Sequence, residues 1–194
     1  MSVIRFLEKY NYADFNFCSD IAKTNYIELV PSYAFGDNWT KCLLLSKDSY
    51  ITKIDELKKY FIISSIQSLT YGLDISLCSE LSQNQDFTDR LSSLSILSKL
   101  LKNKNLVLGS PSQKRSRYSK NHTIDSIDRN NFIDNIIYML DRLSNEVFLS
   151  LEHNTISQGA NLFNKYNDIK LLVDLIRDKG YKNIGINLDT TCLI

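Results

Sequence analysis

Residues 147–189, VFLSLEHNTISQGANLFNKYNDIKLLVDLIRDKGYKNIGINLD, decide the fold. The stretch opens on one short apolar, β-rich run, VFLSLE, and closes on another, IGINLD. Between them Ile169, Leu172, Val173 and Ile176 recur at helical spacing, basic residues fill the last turn and Gly180 stands just past the end. Asn167 or Asp168 is the expected N-cap of that helix. A strand, a crossover helix and a second strand form one βα unit of a parallel sheet.

Working outward, the same rhythm covers the chain. YIELV (residues 26–30), FIISSIQ (61–67) and NLVLGS (105–110) are further strand-length runs, and ADFNFC (13–18) is a weaker sixth. Taking residues 27, 63, 106, 148 and 185 as strand centres, the steps are 36, 43, 42 and 37, each the length of a strand, a helix and two loops. The runs are apolar on both parities, which predicts strands covered on both faces. Leu91, Leu94, Leu97 and Leu101 stripe one helix, Ile133, Ile136, Ile137 and Leu140 another, and TKIDELKKY a shorter third. No linker, charge block or composition shift divides residues 1–194, so a single α/β domain is expected. A (β/α) barrel and an open doubly wound sheet both satisfy this pattern.

Composition narrows the partners. The 194 residues are 43% hydrophobic, with only 6 Gly and 2 Pro, which excludes disordered and collagen-like chains. A net charge of +1 leaves no bulk field to draw in nucleic acid or an anionic membrane. No run approaches the roughly 18 apolar residues of a membrane span, and no signal-peptide stretch opens the chain, so a cytoplasmic address is expected. Cys18, Cys42, Cys78 and Cys192 have neither zinc-knuckle nor CxxC spacing and read as reduced thiols.

In α/β folds the ligand site lies beyond the carboxyl ends of the strands. The polar residues there are Glu28 before Val30 and Pro31, Gln67 in SSIQSLTYG, Gly109-Ser110-Pro111, Glu152 in LEHN, and Asp189 in NLDTT. Glu152 and Asp189 end consecutive strands and could share a cation; as isolated strand-end carboxylates they would equally serve as helix caps. The loop GSPSQKRSRYSKNH carries Lys114, Arg115, Arg117 and Lys120, suited to phosphate oxygens or simply to solvent, with Arg115 the first choice for an anion. His122 and His153 are the only histidines, and His153 beside Glu152 is expected to support rather than ligate. Trp39 and Phe35 could wall a sugar site, although a lone Trp is more often core.

Taken in order, IE-x-x-P, S-x-Q-S-L-T-Y-G, L-G-S-P with a nearby Arg, L-E-x-N and L-D-T resemble the sugar phosphate isomerase/epimerase family, the xylose-isomerase-like TIM barrels, from about Tyr26 to Thr191. The resemblance implies a (β/α)₈ barrel whose top face holds a divalent ion (Mn, Mg, Co or Zn) by a Glu, an Asp, a His and a Glu on the last four strands. By position it assigns Glu152 as first ligand and as the base that removes a proton next to a carbonyl. It assigns Asp189 as second ligand, and Gln67, Arg115 and Glu28 as substrate-binding residues. The expected substrate is a small sugar or sugar phosphate.

This chain departs from the family at His153, where relatives often have Pro, and at Cys192, where many have His. A complete barrel needs roughly 250 residues. The expectation is therefore about six of eight βα units, truncated before the last two strands, with a weakly held metal and self-association to cover open sheet edges. Two rival readings are a catalytically dead relative that binds a sugar or a protein, and an apurinic endonuclease-like DNA repair enzyme. Two histidines are few for the several zinc ions of the latter, so nucleic acid is not the expected partner.

Overall fold

The computed structural model describes residues 25–109, 126–154 and 162–188. The strand candidate at 13–18, the loop bearing Arg115 and His122, and Asp189 and Cys192 lie outside them. The elements run β1 (Tyr26–Leu29), α1 (Pro31–Phe35), α2 (Trp39–Leu45), α3 (Asp48–Tyr60), β2 (Ile62–Ile66), α4 (Gln85–Leu101), β3 (Asn105–Leu108), α5 (Ser126–Arg142), β4 (Phe148–Glu152), α6 (Tyr166–Asp178) and β5 (Ile184–Asn187).

The five strands pair in parallel and stand in space in their chain order, β1-β2-β3-β4-β5. That order separates the two architectures the repeat allows. A doubly wound sheet reverses direction at a switch point and puts helices on both faces. Here every strand adds on the same side, and right-handed crossovers then put every helix on one face, as in a barrel wall. Among the described residues the sheet is open, with β1 and β5 at its edges.

One register row crosses the whole sheet: Leu29, Ile66, Leu106, Leu149 and Ile184, each paired to the next. All five are fully buried and share one apolar cluster with Phe87 and Leu94 of α4, Phe132 and Ile136 of α5, and Ile169 and Ile176 of α6. This is the helix-covered face. Because strand side chains alternate, the residues between belong to the opposite, inner face. These are Glu28 and Ser65, Asn105 and Phe148, Val107, Ser150 and Gly185, and Glu152 and Asn187.

The expectation of strands apolar on both faces is therefore corrected: the inner face is mostly polar. In β2 the apolar residues of mixed parity have a local cause. From Ile63 to Ser65 this strand advances two residues while β1 advances one, from Ile27 to Glu28, so Ser64 is the extra residue of a bulge. Its hydroxyl donates to the Ile27 carbonyl at 2.9 Å. The bulge lets Ile63 and Ile66 both reach the core while Ser65 turns to the inner face.

The helices follow local chemistry. Asn84 caps α4, its Oδ1 accepting the Phe87 N–H at 2.9 Å, and Leu91, Leu94, Leu97 and Leu101 are buried as the stripe predicts. Lys102 ends α4 in the left-handed region, at φ 54°. Asn103 then ties the helix end to the sheet: its Nδ2 donates to the Ile63 carbonyl and its Oδ1 accepts the Asn105 N–H.

Two details differ from the sequence reading. On α5 the buried stripe is Phe132, Ile136, Met139 and Leu140, with Ile133 and Ile137 only half-buried, a rotation of the expected face. Helix α6 begins at Tyr166 after an extended Lys165 with no side-chain cap, so Asn167 and Asp168 lie inside its first turn. Trp39 is core, 1% exposed, with the Arg90 guanidinium 4.8 Å over its ring.

Candidate functional site

At the carboxyl end of the sheet, three inner-face residues stand side by side. Leu108 pairs with Leu151, so Gly109 follows opposite Glu152, and Glu152 pairs with Asn187. The half-buried Glu152 carboxylate accepts from Asn187 Nδ2 at 2.9 Å through Oε2 and from Asn154 Nδ2 at 3.4 Å through Oε1. Its Oε1 also lies so near Gly109 that a Cβ there would stand 2.9 Å away. A carboxylate held this way keeps one orientation at the mouth of the fold.

Lower on the inner face the polar groups pair with one another. Ser65 Oγ donates to Glu28 Oε1 at 2.8 Å, and Ser150 Oγ donates to Asn105 Oδ1 at 2.8 Å. Phe148 lies across Gly185, where a Cβ would come within 2.7 Å of the ring.

The loop from β2 to α4, residues 67–84, forms a wall at the same end of the sheet. Connections this long without secondary structure are uncommon and usually functional. This one is held by buried donors from two helices. Arg90 Nη1 donates to the carbonyls of Leu69 at 3.2 Å and Tyr71 at 2.9 Å. Asn135 Nδ2 donates to those of Leu77 at 2.9 Å and Ser79 at 2.6 Å, and Asn131 Nδ2 to that of Cys78 at 2.9 Å. Burial pushes the Arg90 guanidinium down to about 10, against the pull of Asp86 one turn earlier. On the rim Tyr33, from α1, and Tyr71 make an edge-to-face pair 5.6 Å apart.

Of the residues singled out in the sequence, Glu152 sits at the centre of this cluster. Gln67 follows the end of β2, half-buried, its N–H donating to the Leu29 carbonyl at 2.8 Å. Glu28 is tied to Ser65, three strands from Glu152 and about 14 Å away along the sheet at normal strand spacing, so the structure does not bring the two carboxylates together. His153 is 3% exposed, on the opposite parity from Glu152. Arg115 and Asp189 lie outside the described residues. Sequence reading passed over Asn187, carried Asn154 only as the last residue of L-E-x-N, and placed Gly109 at a strand end without a role of its own. The available signal was periodic: Asn154 and Glu152 share parity, and Asn187 is on Asp189's.

Among the described residues no three His, Cys, Asp or Glu side chains converge as a metal site. The amides beside Glu152 turn their Nδ2 groups, not their oxygens, toward its carboxylate. The carboxylate itself is a hard oxygen ligand, of the kind that suits Mg²⁺ or Mn²⁺. No helix of the described residues is long and apolar enough to cross a membrane.

No protein-family model matches the chain, and no curated protein matches it by sequence. Solved structures do. The chain is similar to the apo form of the 3-keto-D-glucoside 4-epimerase YcjR from E. coli, at 12% identity and a TM-score of 0.63, over 90% of this chain and 61% of that one. It is similar to an AP endonuclease, family 2, from Brucella melitensis, at 14% identity and a TM-score of 0.63, over 97% and 66%. A D-psicose 3-epimerase determined with D-fructose gives 15% identity and a TM-score of 0.56, over 97% and 62%. The fold is that of the xylose-isomerase-like TIM barrels. The chain spans less than two thirds of the length of these three structures.

Proposed function

We propose that the carboxyl end of this sheet is part of a sugar isomerase or epimerase active site in which Glu152 moves a proton on a carbon next to a carbonyl. The observation that carries this reading is the oriented Glu152 carboxylate, standing on the polar inner face between Gly109 and Asn187. Proton abstraction needs a base held within hydrogen-bond reach of one carbon, and Oε1, held by Asn154 only at 3.4 Å while Asn187 holds Oε2 at 2.9 Å, is the oxygen to serve as that base. A divalent cation bound here would polarise the carbonyl and stabilise the charge that develops on its oxygen. Glu152 and Asp189 are the residues that would hold it. With so few charged ligands the cation is weakly held and is lost on dialysis.

Gln67 is the proposed donor to a sugar hydroxyl, Arg115 the proposed anion ligand for a phosphorylated substrate, and Glu28 a substrate-side carboxylate reached through Ser65. The polar inner face and the pinned 67–84 wall support a small polyhydroxylated substrate.

The test is deuterium incorporation next to the carbonyl of D-fructose and related keto sugars, in D₂O with Mn²⁺ added. Exchange is expected, and Glu152→Gln should slow it by about 100-fold or more. Exchange that survives the substitution removes Glu152 as base. A second reading rests on the AP endonuclease likeness, whose TM-score equals that of the epimerase. Cutting of an abasic duplex that depends on Glu152 would replace the sugar reading. Sugar binding without exchange would make the protein a non-catalytic binder.

A further inference from the structure

We propose that Gly109 is a positioning residue for Glu152: its missing side chain is the space in which the carboxylate stands. Among the described residues the glycines with positive φ are Gly36, Gly72 and Gly180; Gly109 is not among them, so its backbone would accept any L residue. What the position excludes is volume. A Cβ on Gly109 would stand 2.9 Å from Glu152 Oε1, 3.4 Å from Cδ and 3.9 Å from Asn154 Oδ1. From the other side, Asn187 Nδ2 holds Oε2 at 2.9 Å. The carboxylate is thus seated between a bare Cα just past the end of β3 and an amide on β5: Glu152 pairs with Asn187, and Gly109 follows Leu108, which pairs with Leu151.

A methyl group at Gly109 would push the tip of the Glu152 side chain aside and so strain its bond to Asn187. For the catalytic consequence this inference rests on the reading of Glu152 as base and cation ligand; the seating itself does not. Displacing a carboxylate ligand's support typically weakens cation binding by 10- to 100-fold.

The experiment compares the full chain with Gly109→Ala and with Gly109→Ala/Glu152→Asp, in which the side chain is shorter by one methylene. The primary readout is the side-chain amide of Asn187 in ¹⁵N-labelled protein, identified by its loss in Asn187→Asp. In Gly109→Ala that amide should shift and exchange with solvent about 10-fold faster, as a released hydrogen bond does. The double variant should restore it. Affinity for Mn²⁺ alone should fall by about 10-fold in Gly109→Ala and recover in part in the double variant.

An Asn187 amide that does not move in Gly109→Ala overturns the proposal, as does one that moves and is not recovered by the shorter acid. Should Gly109→Ala fail to fold, the double variant must fold for the proposal to stand. If the unsubstituted protein neither binds Mn²⁺ nor exchanges sugar protons, the sugar reading fails, and the amide readout alone decides Gly109.

Discussion

Arg90 is a cation sealed inside the helix layer, 4% exposed, with its charge spent on two backbone carbonyls and the face of Trp39. Removing it leaves the carbonyls of Leu69 and Tyr71 without that donor, and the site would refill poorly. Arg90→Ala should therefore cost about 3 kcal/mol in denaturant unfolding. Tyr50 behaves in the opposite sense. Burial, helped by the nearby Cys42 thiol, pushes its phenol up to about 12. The unfolded chain ionises this group near its ordinary value of 10, so the folded state holds the proton longer. The stability it contributes is complete below pH 10 and is lost as pH rises towards 12. Denaturation midpoints measured between pH 9 and 11 should fall less steeply for Tyr50→Phe than for the unsubstituted protein.

Elements rest on rows and caps more than on single contacts. Leu106 sits at the centre of the row that crosses all five strands, and Leu106→Ala should cost about 3 kcal/mol. Asn84→Ala should cost about 1 kcal/mol by uncapping α4, read from the same denaturant curves. Five strands and the stripe of α4 were legible in the sequence, because apolar runs and leucines at helical spacing report burial directly. The start of α6 was not, because Asn167 and Asp168 are good capping residues by type, whereas the helix begins earlier, at Tyr166, after a Lys165 that makes no side-chain cap. The buried face of α5 was misjudged by a part-turn because Phe132 and Met139 compete with the isoleucines for the core. At the candidate site the sequence marked Glu152 by its place at a strand end. It marked Gly109 as well but gave neither Gly109 nor Asn187 its role, which exists only once the ends of three strands are laid side by side.

At the scale of the molecule, the sequential parallel sheet of the described residues has three strands flanked on both sides and two at its edges. Amide hydrogen exchange should be slower in β2, β3 and β4 than in β1 and β5. In one strand the division into a greasy side and a wet side is kept by setting a single serine aside in a bulge. Because Ser64 is the surplus residue in β2, everything after it is out of phase with everything before it. Deleting Ser64 would leave Ile63, Ser65 and Ile66 alternating core, inner and core in plain register with Ile27, Glu28 and Leu29, so what the serine adds is the local bend and twist of a bulge. That codon is therefore one the two-sided design can lose, whereas the bend it puts into β2 cannot survive without it.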